Sequence, residues 1–216
     1  MYKAVLFDLD DTLYDFHTYR TEQLQVALAE IFERYPHLQP ESLIQNAIDT
    51  HVYHRQLPAF LQANGVDDEA VITAACATHE QDWFEKMQLD EETIPLLEQL
   101  RPTHKLGLIT NGPSWSQQAK IEQFQLRDYM EVLTVSEEVG VAKPDPAIFH
   151  LTLARFDMQP EEAVFVGDSP KHDLHGAAAA GVACIWINRR GLALPDDAPK
   201  PLATITRLAE VASLVC

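Results

Sequence analysis

Four short apolar runs in the second half of the chain constrain the fold more than any other feature. They span residues 106–109, 132–135, 163–166 and 183–187, and segments with helical spacing of apolar residues lie between them. Strands that alternate with helices in this way form a parallel sheet with crossover helices. A fifth apolar run at residues 4–7 has the same buried character and is expected to join that sheet. The sequence therefore predicts an α/β fold.

Residues 15–94 separate the first apolar run from the others and carry no strand signal. Apolar side chains recur in this segment at helical spacing, as at Leu24 and Leu28. A chain of 216 residues is long enough for a core domain with an inserted module. We therefore expect one core domain, made of residues 1–14 and 95–216, with an all-helical insert over 15–94.

Composition excludes several classes of partner. The formal net charge of −17 argues against a nucleic acid polymer or an anionic membrane, because both call for a basic surface. The three cysteines, Cys76, Cys184 and Cys216, are far apart, odd in number and without a C-x-x-C pair, so they indicate neither a disulfide framework nor a zinc site. No apolar stretch approaches the ~20 residues of a membrane span, and no secretory signal is visible. We expect a cytoplasmic protein, and no feature of the sequence specifies its oligomeric state.

Three carboxylates follow the first apolar run directly, in the segment Asp8-Leu9-Asp10-Asp11-Thr12. Ligands of open α/β sheets bind at the carboxyl ends of the strands, and like charges this close need a compensating cation. The alternative is a solvated loop whose aspartates cap backbone N–H groups, and this reading suits Asp11 and Thr12 better than Asp8 and Asp10.

Three further segments place polar groups at strand ends or helix starts. Thr110-Asn111-Gly112 follows one apolar run, and Gly167-Asp168-Ser169 follows another, with Asp173 shortly after it. Lys143 precedes the expected start of a helix at Asp145-Pro146. Each segment alone is compatible with an ordinary turn or a solvated side chain. Together they place hydroxyl, amide, ammonium and carboxylate groups at one edge of the sheet.

These four segments match the four motifs of the haloacid dehalogenase-like hydrolase superfamily, in the same order and over almost the whole chain. The chain therefore resembles that superfamily. The resemblance implies a Rossmann-like parallel sheet core and an inserted helical cap of the first type. The first two motifs, together with the run Ser136–Pro144, look most like the branch that contains pyrimidine 5'-nucleotidases.

The resemblance also implies a role for each motif residue. Asp8 would be the nucleophile that becomes an aspartyl-phosphate, and Asp10 the general acid and then the general base. Mg²⁺ would be held by Asp8, Asp168 and the backbone carbonyl of Asp10, with Asp173 in support. The phosphoryl group and the rest of the substrate would be bound by Thr110, Asn111, Gly112 and Lys143.

These roles predict a Mg²⁺-dependent phosphatase that acts on small phosphorylated metabolites, with nucleoside 5'-monophosphates as the leading class. The chemistry agrees, since aspartate is a known phosphoryl acceptor and Mg²⁺ prefers carboxylate and phosphate oxygens. A sugar-phosphate phosphatase or phosphomutase of the same superfamily remains an alternative. Dehalogenation is disfavoured because Asp10 and Asp168 are present. A receiver-like phospho-acceptor module would lack the helical insert, and an inactive binding protein would not keep every catalytic position filled.

The sequence names no substrate contact in the insert. Candidate groups for the non-phosphate part of the substrate lie near the first crossing and at a break between helices: Phe16, His17, Arg20, His54 and Arg55. Trp115, close behind Gly112, could stack on a base or anchor the core.

Overall fold

The computed structural model describes residues 2–215, which divide into two compact units. One comprises the chain up to Asp15 and from Gln88 onward, and the other is Phe16–Met87. We call them the core unit and the helical unit. Within residues 2–215, none of the helices combines the length and the apolar character that crossing a membrane requires.

The helical unit consists of five helices packed on their own apolar cluster. Its buried side chains include Leu24, Ile31, Leu43 and Leu61. Helix α5 begins after Asp68, whose carboxylate accepts hydrogen bonds from the N–H groups of Ala70 and Val71. The helices are α1 (Phe16–Ala27), α2 (Ala29–Arg34), α3 (Pro40–Asp49), α4 (Leu57–Ala63) and α5 (Glu69–Glu80).

The core unit is built on a six-stranded sheet in which every neighbouring pair is parallel. The strand order is β3-β2-β1-β4-β5-β6. This arrangement confirms the predicted α/β fold with a Rossmann-like parallel sheet. The strands are β1 (Ala4–Phe7), β2 (Lys105–Thr110), β3 (Val132–Val135), β4 (Ala163–Gly167), β5 (Ala183–Ile187) and β6 (Ala203–Ile205).

Helices between the strands bury the sheet. The central strands β1 and β4 are buried at every position, as expected when both faces of a parallel sheet are covered. Helix α9 starts at Pro146 behind the predicted cap Asp145, which accepts a hydrogen bond from the N–H group of Ala147. The helices of this unit are α6 (Thr93–Leu100), α7 (Ser114–Gln123), α8 (Ser136–Val139), α9 (Pro146–Phe156), α10 (His175–Ala179) and α11 (Val211–Val215).

One strand does not follow from the sequence. Strand β6 has only three residues and pairs on one side with β5. So short an edge strand has no periodicity that distinguishes it from a loop.

The helical unit ends at Met87 rather than at residue 94, where the sequence reading ends the insert. The segment after Met87 belongs to the core unit and is hydrogen-bonded to the segment that follows β1. The N–H group of Asp90 donates to the carbonyl of Leu13 at 3.4 Å, and the Thr93 hydroxyl donates to the same carbonyl at 2.6 Å. Helical periodicity could not reveal this boundary, because it depends on polar contacts between distant segments.

Thr93→Val tests the hydrogen bond between Thr93 and the Leu13 carbonyl. Thr93 is fully buried, so removing its hydroxyl leaves the Leu13 carbonyl with only a long hydrogen bond. We expect a loss of about 1–3 kcal/mol in the free energy of unfolding, measured by urea denaturation. The control is Thr73→Val, an exposed threonine whose hydroxyl donates within α5. Equal losses of unfolding free energy in the two variants would show that the Thr93–Leu13 hydrogen bond does not stabilise the fold.

Candidate active site

The sheet order brings three of the four predicted motifs together. Strand β1 lies between β2 and β4, and all three run in the same direction. Asp8 directly follows β1, Thr110 is the last residue of β2, and Asp168 directly follows β4. The N–H group of Asp8 donates to the Val166 carbonyl at 2.9 Å, which continues the pairing past the end of β1. These side chains therefore start from one edge of the sheet.

Lys143 reaches this edge from the loop before α9. Its ammonium is buried and lies 2.7 Å from Asp8 Oδ1 and 2.8 Å from Asp173 Oδ1. Burial lowers the pKa of Lys143, but the carboxylates of Asp173 and Asp8 outweigh it and raise the pKa above its ordinary value. Lys143 is therefore a fixed positive charge next to the predicted nucleophile.

Asn111 fixes the backbone of Lys143. The Asn111 side-chain amide donates to the Lys143 carbonyl at 2.8 Å and accepts from the Lys143 N–H group at 2.9 Å. This reciprocal pair joins the end of β2 to the loop that carries Lys143. Substrate binding by Asn111 stays a prediction, and the structure assigns its amide this positioning task.

Thr110 and Gly112 are also engaged by neighbouring side chains. The Thr110 hydroxyl is buried and accepts a hydrogen bond from the Gln117 amide. The N–H group of Gly112 donates to Ser136 Oγ at 3.0 Å. Gly112 has a φ of +146°, and a Cβ there would lie 3.2 Å from the Gln117 side chain. A glycine satisfies both constraints.

Asp173 is completely buried beside Lys143. It lies on a π-helical turn, Pro170–Leu174, and its Oδ2 accepts a hydrogen bond from the N–H group of Ser169 at 2.9 Å. A Cβ on Gly167 would lie only 2.4 Å from the same oxygen. The glycine at the end of β4 therefore makes the space that the Asp173 carboxylate occupies.

Three aspartates form a cluster that could hold a cation. Each of Asp8, Asp168 and Asp173 offers a carboxylate oxygen, and these oxygens lie within 4.8 Å of one another. Burial raises the pKa of Asp8 to about 7; the Lys143 ammonium opposes this rise, and Asp173 adds to it. Burial, reinforced by Asp173 and Asp8, likewise raises the pKa of Asp168.

This electrostatic balance fits a divalent cation. One buried lysine cannot neutralise three adjacent carboxylates, so the cluster needs further positive charge to stay ionised. Carboxylate oxygens are the donors that Mg²⁺ prefers. Asp8, Asp168 and Asp173 are thus suited to hold Mg²⁺.

The Asp10 carboxylate has different partners from the other predicted site residues. The Lys120 ammonium binds both of its oxygens, at 2.8 Å and 2.7 Å, and the Tyr14 hydroxyl donates to Oδ1 at 2.5 Å. Asp10 and Asp8, two residues apart, therefore each have a lysine of their own. The predicted metal contact of Asp10 involves only its backbone carbonyl and stays a prediction.

Sequence reasoning missed the contribution of α7. Gln117 and Lys120 are both buried, although a helix beside a parallel sheet normally turns apolar residues inward. The available signal is the composition of the helix, Ser-Trp-Ser-Gln-Gln-Ala-Lys-Ile-Glu-Gln, which has too few apolar residues for a continuous buried stripe. Such a helix must be exposed or bury polar groups that have partners.

Sequence reasoning also missed Arg189, which supports the loop of the first motif. Its guanidinium donates to the carbonyls of Asp11 and Thr12, at 3.2 Å and 2.6 Å, and pairs with Asp90 at 2.5 Å. Asp11 has a φ of +58°, a conformation that aspartate adopts more readily than most residues. Arg189 thus holds this loop through the backbone carbonyls of Asp11 and Thr12. Thr12 is fully buried and its hydroxyl has no hydrogen-bond partner within residues 2–215, so the solvated capping role expected of it is not found.

Comparison with known families identifies this arrangement. The family model described as a haloacid dehalogenase-like hydrolase matches residues 2–181. The chain belongs to the haloacid dehalogenase-like hydrolase family. The match runs from the first motif to the segment after Asp173, so it includes every predicted site residue of this hydrolase.

Relatives of this hydrolase include phosphatases. A glyceraldehyde 3-phosphate phosphatase of Methanopyrus kandleri is 32% identical over 200 residues, which cover 88% of this chain and 85% of the relative. A pyrimidine 5'-nucleotidase of Escherichia coli is 39% identical over 124 residues, 57% of this chain and 55% of the relative. The fold matches that of a Bacillus subtilis hydrolase of the same family, solved with bound magnesium. That match has a TM-score of 0.77 and 22% identity and covers 99% of this chain and 98% of the other.

Gly167→Ala tests the packing of Asp173 in this hydrolase. The added methyl group would overlap the Asp173 carboxylate, and we expect overpacking to cost about 1–3 kcal/mol of unfolding free energy. The same substitution should cost clearly less in an Asp173→Ala background, because the overlap is then removed. Denaturation of the wild type, both single variants and the double variant measures this difference. Strictly additive effects would show that Gly167 is not required by Asp173.

Proposed function

We propose that this hydrolase is a Mg²⁺-dependent phosphatase of small phosphomonoesters, with nucleoside 5'-monophosphates as its preferred class. The observation that carries the proposal is the placement of Asp8. One of its oxygens is 2.7 Å from the Lys143 ammonium, and the carboxylates of Asp168 and Asp173 lie beside it. A carboxylate that is paired with an ammonium and adjoins a cluster able to hold a cation can approach a phosphate dianion, which an isolated carboxylate would repel.

In the first step, an Asp8 oxygen attacks phosphorus. A bond forms between that oxygen and phosphorus, and the bond from phosphorus to the ester oxygen breaks, which leaves an aspartyl-phosphate. Lys143 and Thr110 would bind the phosphoryl oxygens, over which negative charge spreads in the transition state. Asn111 supports this step by holding the Lys143 backbone.

A Mg²⁺ ion would be held by the carboxylates of Asp8, Asp168 and Asp173, with the Asp10 backbone carbonyl as a further ligand. When bound, it supplies positive charge that keeps Asp8 ionised and stabilises the transferring phosphoryl group. Asp173 also orients Lys143, so it contributes even where it does not touch the ion.

Asp10 transfers a proton in each of the two steps. In the first step it donates a proton to the departing ester oxygen, which leaves as an alcohol. In the second step its carboxylate takes a proton from a water molecule, whose oxygen attacks phosphorus and releases Asp8 and inorganic phosphate. One carboxyl group can do both because the first step leaves it ionised for the second.

The alternatives account for fewer features of the chain. A dehalogenase would need neither the proton donor Asp10 nor the three-carboxylate cluster. A receiver module would have no helical unit between β1 and β2. A binding protein on an inactive scaffold would not keep Asp8, Lys143 and Asp168 together. A phosphomutase would use the same groups, so product analysis must separate it from a phosphatase.

Two relatives support different classes of small substrate. The pyrimidine 5'-nucleotidase supports nucleoside 5'-monophosphates, in agreement with the resemblance of the first two motifs. The glyceraldehyde 3-phosphate phosphatase matches a larger share of the chain and supports short sugar phosphates as the second candidate. We further propose that the enzyme acts in the cytoplasm, where such metabolites occur and where widely spaced cysteines stay reduced.

A panel of phosphomonoesters tests the proposed function. We expect release of inorganic phosphate in the presence of Mg²⁺, loss of activity with a chelator and recovery when Mg²⁺ is restored. The panel contains nucleoside 5'-monophosphates, sugar phosphates and p-nitrophenyl phosphate, with a 2-haloacid to test for dehalogenation. Nucleoside 5'-monophosphates should give the highest kcat/KM. Asp8→Asn keeps the side-chain volume but removes the nucleophile, so it should stay folded and lose turnover.

Different outcomes separate the parts of this proposal. Full activity in chelator would exclude the metal requirement. Normal turnover by Asp8→Asn would exclude the aspartyl-phosphate. A preference for sugar phosphates would favour the second substrate class, and transfer of phosphate to another position of a sugar would favour a phosphomutase.

The helical unit offers a test of substrate selectivity at Arg55. Arg20, the other predicted arginine, is buried within that unit, donates to the Val52 carbonyl at 3.1 Å and lies 4.6 Å from the Tyr53 ring centre. Its substitution would therefore disturb packing, whereas Arg55 is exposed. If Arg55 contacts the non-phosphate part of the substrate, Arg55→Ala should lower kcat/KM for the preferred substrate roughly tenfold and leave p-nitrophenyl phosphate unaffected.

The matched control for this test is Arg34→Ala, an exposed arginine of the same unit. Its kinetics should equal those of the wild type on both substrates. Identical kinetics for Arg55→Ala and Arg34→Ala would remove Arg55 from the substrate contacts.

A further inference from the structure

Helix α7 places two polar side chains inside the core unit. Gln117 and Lys120 are only 1% and 3% exposed. Residues three positions apart lie on the same face of a helix, so both side chains point in the same direction. A buried ammonium is strongly unfavourable unless a carboxylate pairs with it. The carboxylate partner of Lys120 therefore indicates the role of this face of α7.

That partner is Asp10. The Lys120 ammonium lies 2.8 Å from Asp10 Oδ1 and 2.7 Å from Oδ2, so it binds both oxygens at once. The Tyr14 hydroxyl adds a hydrogen bond of 2.5 Å to Oδ1. A carboxylate held by both oxygens cannot rotate freely about its terminal bond. Since Lys120 extends from a helix, the position of the ammonium is itself well defined.

Gln117 connects the same carboxylate to the end of β2. Its amide nitrogen donates to the Thr110 hydroxyl and to the Asn111 carbonyl at 3.1 Å, and it lies 3.4 Å from Asp10 Oδ2. The proton-transfer group and the predicted phosphoryl-binding hydroxyl thus share one neighbour. A shift of α7 would move both.

We propose that Lys120, assisted by Gln117, is the positioning residue that holds the Asp10 carboxylate at the ester oxygen and apart from the Asp8 cluster. This inference rests on the proposed phosphatase function, in which Asp10 transfers protons. Lys120 acts through Asp10 and does not touch the reacting atoms.

Two physical effects make this positioning matter. Proton transfer requires the carboxyl group within hydrogen-bond reach of the ester oxygen, and a displacement of about 1 Å can cost about 10²-fold in rate. In addition, Asp10 lies two residues from Asp8, whose carboxylate pairs with the Lys143 ammonium. An unpaired Asp10 carboxylate would be attracted to that positive charge, and Lys120 provides a competing ammonium.

Lys120→Met tests the inference, because methionine keeps much of the length and removes the charge. We expect kcat/KM for phenyl phosphate to fall about 10²-fold with little change in KM. The decrease for p-nitrophenyl phosphate should be clearly smaller, because its better leaving group depends less on a proton from Asp10. Lys120→Arg should restore most of the activity. The matched control is Lys105→Met, a half-exposed lysine of the same unit, which should resemble the wild type.

A second comparison shows whether Lys120 acts through Asp10. If it does, the double variant Asp10→Asn/Lys120→Met should be no slower than Asp10→Asn alone. Multiplied losses would contradict the inference, as would equal losses on the two esters or kinetics equal to those of Lys105→Met.

A crystal structure of Lys120→Met decides the positional part without any activity measurement. We expect the Asp10 carboxylate to leave its present position, and an unmoved carboxylate would overturn the inference. If the wild type hydrolyses neither ester in the presence of Mg²⁺, the proposed function fails, while the crystal structure still reports on the hold of Lys120 on Asp10.

Discussion

The site depends above all on the ion pairs of the Lys143 ammonium with the carboxylates of Asp8 and Asp173. These three groups are buried together, and none could remain charged there without the others. Neighbouring residues make room for these ion pairs and fix their position. Gly167 lacks the Cβ that would collide with Asp173, and Asn111 ties the Lys143 backbone to the end of β2.

A division of charge between two lysines organises the rest of the site. Asp8 and Asp10 leave the same strand end, and without separate partners they would compete for the same cations. Lys143 pairs with the proposed nucleophile, and Lys120 with the proposed proton donor. The two carboxylates therefore have different surroundings, as chemistry that needs one nucleophile and one acid requires. Fully ionised, the three-aspartate cluster would carry more negative charge than Lys143 neutralises, which suits a divalent cation.

The sequence predicted the fold and the juxtaposition of the motif residues at the sheet edge for identifiable reasons. The runs that became β1 to β5 are apolar enough to be recognised singly, and their alternation with helices requires parallel pairing. In such a sheet, the motifs after β1, β2 and β4 must meet at one edge. Residues that act through long-range contacts were out of reach. Gln117, Lys120 and Arg189 resemble ordinary surface residues until the chain is folded, and β6 is too short to show a pattern.

By itself, the sequence determined the α/β class, the position of the helical insert, the family and the residues that meet at the sheet edge. All of these follow from local patterns and from their order along the chain. Only the tertiary structure decided which cation faces which carboxylate, where the helical unit ends and that Arg20 is buried. These features arise from contacts between residues far apart in sequence, such as Asp10 with Lys120 and Thr93 with Leu13. Their energies depend on burial and distance, which no local pattern encodes.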